Sequence, residues 1–227
     1  MIIRRVRNRL LRMVLSRVLG ARRTEDLVRL GTPYGGWWVP VTQSGPGVIA
    51  YLAGAGEDIS LDLALHERGC IVRIFDPTPR AIRYVQEHGP ASESFRFQSV
   101  GLWSQDTSLR FYSPENPEHV SHSVVNLQRT QEYFEAEVRT LRTLMHDNKD
   151  QRIDLLKMDI EGAEHAVVLD ILSNGPLPHA ICLEFDQPCS IREMRKTAAA
   201  LRDAGYHLQR VDVWNCTFTR PVATSNS

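Results

Sequence analysis

Three things are scarce in this chain: paired cysteines, long apolar runs, and an excess of charge of either sign. The four cysteines, Cys70, Cys182, Cys189 and Cys216, include no C-x-x-C pair. None stands at metal-ligand spacing from a histidine, so neither a zinc module nor a redox dithiol is indicated. Buried, reduced thiols are the plain reading, and a reducing cytoplasm suits them. No stretch reaches the ~18 consecutive apolar residues of a membrane span. The N-terminus lacks an uninterrupted apolar core and a small-residue cleavage site, so a secretory signal is not expected. There is no internal repeat and no low-complexity block. What remains is 227 residues at 42% hydrophobic, enough for one domain whose core needs no disulfides.

The formal net charge is zero, but it is unevenly spread. Residues 1–23 hold eight arginines and no acid, which leaves 19 basic against 27 acidic residues in the rest. A body that acidic is a poor general partner for nucleic acid. Residues 2–19 read as a basic amphipathic helix, with Ile3, Val6, Leu10, Val14 and Val18 at helical spacing. Two readings fit it. One is a helix lying on an anionic membrane surface, which would make the protein membrane-peripheral. The other is a helix packed on the domain or on a second copy in a homodimer, its arginine stems covering apolar surface. Residues 1–30 therefore form a basic helix and linker, 31–222 the main domain, and 223–227 a frayed tail. Gly31 to Pro40 is rich in glycine and proline and resists regular structure. Its Trp37-Trp38 pair fits either the lip of a pocket or a plug beneath the sheet.

From residue 48 strands and helices alternate. Strands are expected at 48–53, 71–75, 95–100, 109–112, 153–158 and 179–185, with an antiparallel edge at 206–214 and 216–219. Helices are expected at 59–68, 79–88, 140–148, 163–172 and 190–204. Residues 134–139 fit a strand or a helix start, and 113–130 a long loop. Such alternation implies an α/β layer fold with a parallel sheet.

The densest information lies in Ile153-Asp154-Leu155-Leu156-Lys157-Met158-Asp159-Ile160-Glu161-Gly162-Ala163-Glu164. Its apolar strand suits the middle of a parallel sheet. Asp159 then falls at the carboxyl end, where open α/β sheets place ligands. Capping of the next helix could account for one carboxylate. It accounts less well for Lys157, Asp159, Glu161 and Glu164 together.

The first strand ends in Ala53-Gly54-Ala55-Gly56-Glu57-Asp58. Two glycines at that spacing let the backbone turn sharply and approach a ligand closely. Asp76 ends the second strand, where nucleotide-binding α/β folds place an acid for ribose hydroxyls. A plain glycine turn and an Asp-Pro turn would be the bland explanation. No third glycine follows, and Glu57 and Asp58 would repel a pyrophosphate. A cofactor with no phosphate and a positive centre suits the charge better, and S-adenosylmethionine is such a molecule.

Tyr51 to Ser60, Phe75 to Pro79 and Ile153 to Glu164 resemble the three signatures of FkbM-type methyltransferases, over roughly residues 35–215. That resemblance implies a Rossmann-like, class I methyltransferase sheet of seven strands in the order 3-2-1-4-5-7-6, the last antiparallel. It implies S-adenosylmethionine as cofactor, with Gly54 and Gly56 along its methionine part, Asp76 on the ribose, and Gly101 to Trp103 near the adenine. Asp159 would lie below the transferable methyl. Where such enzymes usually carry an acid in the first strand, this chain has Leu52. Glu57 or Asp58 would then receive the cofactor's amino group.

Methyl transfer to a hydroxyl needs alignment and a base. The candidates are Asp159, Glu161 and Glu184 at the strand ends, with His122 in the long loop and His165 on the helix as outsiders. The expected activity is O-methylation of a sugar, glycan or small-metabolite hydroxyl. Magnesium on the three carboxylates is a second option, although a general base suffices. The rivals are a non-catalytic module that keeps the fold, and an NAD(P)-dependent oxidoreductase.

Overall fold

A computed structural model describes residues 2–112, 133–185 and 189–221. Helix α1 (Ile2–Leu19) precedes a hairpin of β1 (Leu27–Leu30) and β2 (Trp37–Pro40). The alternating part follows as β3 (Ile49–Ala53), α2 (Ser60–Glu67), β4 (Ile71–Phe75), α3 (Pro79–His88) and β5 (Phe95–Gln98). Next come β6 (Gly101–Leu102), β7 (Thr107–Tyr112), β8 (Tyr133–Arg139) and α4 (Leu141–Asp147). The chain returns through β9 (Leu155–Met158), α5 (Glu164–Asn174), β10 (Ala180–Glu184), α6 (Ile191–Asp203), β11 (His207–Asp212) and β12 (Asn215–Thr219).

Seven strands form one sheet in the order β11-β12-β10-β9-β3-β4-β5. Numbered along the sheet-forming strands alone, this is 3-2-1-4-5-7-6. Only β12 runs antiparallel to its neighbours. The central strands β3 and β9 are buried along their whole length, as their apolar sequences, interrupted only by Lys157, suit. Their side chains supply two cores, one on each face. Tyr51, Met158 and Leu183 belong to one, and Leu52, Leu155 and Cys182 to the other. Connections leave β3 toward β4 on one side and reach β9 on the other. The carboxyl ends of β3 and β9 thus form the switch point where such sheets bind ligands.

The local signals explain the helix starts. Thr78 caps α3 through Ala81 and is followed by Pro79 at the first helical position. Thr140 caps α4, and Ser190 with Glu193 forms a capping box on α6.

Three expectations need correction. The linker and the Gly/Pro-rich segment contain β1 and β2, paired antiparallel from Leu27–Pro40 to Leu30–Trp37. The glycines are confined to the turn, while the tryptophans and Val39 have the side chains that strands favour. Second, β6, β8 and β7 make a separate three-stranded sheet beside the main one, and residues 134–139 are strand. Third, α1 packs on the domain through a different face from the stripe read above. Leu15 and Leu19 are buried in the core, with Leu11 packed against it. Among the described residues, no helix is long and apolar enough to cross a membrane.

Candidate active site

The carboxyl ends of β3, β4, β9 and β10 open into one cleft of about 830 Å³. Its first wall is the glycine turn after β3. Gly54 and Gly56 have φ of +84° and +53°, which glycine adopts at no steric cost. At Gly54 there is a second reason: a Cβ there would stand 1.8 Å from the carbonyl oxygen of Asp159. The missing side chain is what lets the ends of β3 and β9 close on each other. Asp159 N–H donates to the Ala53 carbonyl at 3.1 Å across the same junction.

Asp76 holds this turn from beneath. One carboxylate oxygen accepts the amides of Ala55 and Gly56 at 2.9 and 3.0 Å. The other accepts the amide and hydroxyl of Thr78 at 2.8 and 2.6 Å. Four donors fill the acceptor positions of one carboxylate. Asp76 thus lines the cleft while its carboxylate accepts four hydrogen bonds from the loop. Asp58 likewise accepts Thr32 Oγ1 at 2.6 Å and the Ser60 amide at 2.9 Å. Burial works to raise its pKa, but hydrogen bonds from Ser60, Thr32 and Gly35 prevail and hold it low. Asp58 therefore ties the β1–β2 turn to the start of α2. Arg29 braces that turn from inside, donating to the carbonyls of Thr32, Pro33 and Gly36. Glu57 lines the cleft half-exposed, 4.0 Å from Arg80.

Opposite stands the acidic end of β9 and β10. Lys157, only 7% exposed, donates to the Gly54 carbonyl at 2.5 Å and lies 3.4 Å from Asp159 Oδ2. Its ammonium also sits 5.5 Å from the ring centre of Trp37, which is buried and forms part of the cleft wall. Trp38 turns the other way, donating to Asp212 at 3.0 Å. After Asp159 the chain makes a tight turn in which Glu161 has φ +54°, a left-handed conformation uncommon for a side-chain-bearing residue. Buried Glu164 holds that turn by accepting the amides of Ile160 and Gly162 at 2.9 and 3.0 Å. Burial pushes its pKa up to about 7, with the Asp159 and Glu161 charges adding. Glu184 is pushed up to about 8, first by burial, then by the charge of Asp159, with Lys157 opposing. This end of the cleft thus holds several carboxylates against one lysine. Glu164 and Glu184 are both raised toward neutral pH, and of the two Glu184 lines the cleft.

A model of the FkbM methyltransferase domain matches residues 53–208. The chain belongs to the FkbM methyltransferase family. Solved structures similar to this FkbM chain include the ribosomal protein L11 methylase of Lactobacillus delbrueckii subsp. bulgaricus. It is 14% identical, with a TM-score of 0.44, over 78% of this chain and 71% of that one. The fibrillarin pre-rRNA processing protein of Methanococcus jannaschii is 9% identical, with a TM-score of 0.48, over 87% and 83%. No curated protein matches the sequence. Membership sets the oxidoreductase aside, and the class I methyltransferase fold implies S-adenosylmethionine as cofactor.

Of the residues expected in the FkbM site, Gly54, Gly56, Glu57, Asp58, Asp76, Gly101, Asp159, Glu161 and Glu184 line the cleft. Ala53 does not; it is fully buried behind the turn. Trp103 also lies outside the lining, and the apolar wall beside Gly101 comes instead from Phe75, Leu102 and Phe111. His165 is held between α5 and α6 by Thr197 and Cys189, away from the cleft. His122 lies outside the described residues. Among those residues, no three His, Cys, Asp or Glu side chains form a metal-holding group. Lys157 stands out in the sequence as a lone lysine inside an apolar strand, and the structure gives it a place in the cleft lining that the sequence does not specify. The sequence reading missed Asn8, Arg12 and the β11–β12 turn, Asp212 to Asn215, which complete the rim.

Proposed function

We propose that this FkbM domain transfers a methyl group from S-adenosylmethionine to a hydroxyl oxygen, with Glu184 taking the hydroxyl proton. The observation that carries the reading is the position of Glu184, at the end of β10 on the cleft wall beside Asp159 and Glu161, where burial raises its carboxyl to about 8. A general base works best when its pKa lies near the working pH. The cleft suits the cofactor: its glycine turn allows close approach, and its carboxylate-rich far wall favours a positive centre. Gly54, Gly56 and Gly101 would hold it, and Glu57 would receive the ribose hydroxyls in place of the occupied Asp76. Bound there, S-adenosylmethionine supplies an electrophilic methyl carried by a sulfonium. Asp159, fixed by Lys157, faces that positive centre. Glu161, held in its strained turn by Glu164, contacts the acceptor beside Glu184. Magnesium is not required by this scheme.

The test begins with calorimetric titration of S-adenosylmethionine into the full chain. Transfer of labelled methyl to a panel of sugar and small-metabolite hydroxyls follows. Cofactor uptake with hydroxyl methylation that disappears in Glu184→Gln is the expected result. Absence of cofactor uptake at millimolar concentration would sink the reading. It would favour the alternative, a binding module that keeps the fold, for which Leu52 and the fully occupied Asp76 speak.

A further inference from the structure

The stripe that makes α1 amphipathic in sequence is the one the domain leaves uncovered. Inward, Leu15 and Leu19 are each 1% exposed. Outward, Leu10, Met13, Val14 and Val18 remain 60, 62, 47 and 40% exposed. At 3.6 residues per turn these four share one side of the helix. Arg7 and Arg17 fall within that side and Arg9 along its margin, all three exposed. No acid occurs anywhere in residues 1–23. Scattered exposed apolar residues need no explanation, but four large ones on a single face set among arginines do.

We propose that α1 docks the protein on an anionic bilayer surface. The apolar stripe would enter the boundary between headgroups and acyl chains, and the arginines would meet lipid phosphates. Charge selects this occupant over a second copy. A two-fold dimer through this face would press two acid-free arginine helices together, and like charges repel. The rest of the chain carries 27 acidic against 19 basic residues, so an anionic surface repels it. The α1 side is therefore the side turned toward such a membrane, which sets the orientation.

The orientation has a consequence for the cleft. Asn8 and Arg12, on the inner side of the same helix, line its rim, and Arg12 pairs with Asp212 at 2.5 Å. Docking therefore sets the rim one helix diameter, ~10 Å, from the lipid surface and favours acceptor hydroxyls that reach there from it, on a lipid-linked glycan. This consequence rests on the methyl-transfer reading; the docking does not.

The experiment is sedimentation of the full chain with phosphatidylcholine vesicles, with and without phosphatidylglycerol, and with no methyl donor present. Binding to the anionic vesicles should be at least about tenfold stronger and should weaken with salt. A Leu10→Ser, Met13→Ser, Val14→Ser variant should lose at least about tenfold in binding while its thermal melt stays unchanged, because all three positions are exposed. Equal binding to both vesicles, or an unaffected variant, would overturn the proposal. So would a wild-type dimer, seen by analytical ultracentrifugation, that the triple substitution dissociates. Cofactor titration is read separately, so vesicle binding without cofactor uptake refutes the enzyme and leaves the docking standing.

Discussion

Asp62 offers a measurement of how this site trades stability for charge. It sits in the first turn of α2, 5% exposed, and its Oδ1 has no hydrogen-bond partner. Burial raises its pKa from 3.8 to about 6, and the nearby Lys157 charge offsets only part of that. The sign follows from linkage. The folded state binds the proton more tightly than the unfolded chain does. The contribution of Asp62 to stability is therefore full below about pH 3.8 and is lost as pH rises through about 6. Two pKa units correspond to about 3 kcal/mol. Asp62→Asn keeps the shape and removes the charge. It should stabilise the protein at pH 7.5 by up to about 3 kcal/mol, or roughly 6–12 °C in melting temperature for a chain of this size. Urea unfolding between pH 4 and 8 should show a declining limb in the wild type that is shallower in the variant. A variant less stable than wild type at pH 7.5 would refute the reasoning, because attraction to Lys157 would then outweigh burial.

Three further outcomes are expected. With Glu184 as base, kcat/KM should rise with pH through about 8, since only the deprotonated form accepts a proton. Glu184→Gln should remove that limb and cost roughly 10²–10⁴-fold in kcat, read by labelled-methyl transfer. Gly54→Ala places a Cβ against the Asp159 carbonyl in a positive-φ position. It should cost more than about 3 kcal/mol in urea unfolding; a loss under about 1 kcal/mol would mean that the two strand ends separate easily. Asp76→Ala strands four donors. It should lower the melting temperature as well as cofactor affinity, whereas lost affinity with an unchanged melt would return Asp76 to the ribose.

The parts of this protein that were legible from sequence are those whose signals are local. β4 and α3 have the bounds read from sequence because Asp76-Pro77-Thr78-Pro79 carries both the strand end and the helix cap. The order of the seven strands came from the resemblance, which no periodicity could supply. The β1–β2 hairpin was missed because distant groups hold it, among them Thr217, whose hydroxyl donates to the Trp38 carbonyl at 2.7 Å. Asp76 illustrates a subtler limit. Its position at the strand end was evident, but its partners are the backbone amides of a turn whose course only the folded chain reveals. The face by which α1 packs was misread for a related reason. Leu11, Leu15 and Leu19 repeat every four residues just as Leu10, Val14 and Val18 do, and spacing alone cannot say which line the domain covers.

Leu52 connects these observations. In the β3–β9 register it lies directly opposite Lys157. An acid at that strand position, which the family resemblance implies, would serve beside a buried ammonium as its counterion. With leucine there, the charge of Lys157 has to be met from elsewhere. Asp159 meets it at the mouth, the Gly54 and Ala53 carbonyls meet it along the strand, and Asp62 meets it from α2. With leucine at 52, the carboxylate paired with Lys157 is Asp159, on the cleft wall. Inside, Asp62 is left incompletely solvated. Lys157 in turn holds Asp159 in place at 3.4 Å, and the unfavourable burial of Asp62 is the energetic cost of that arrangement.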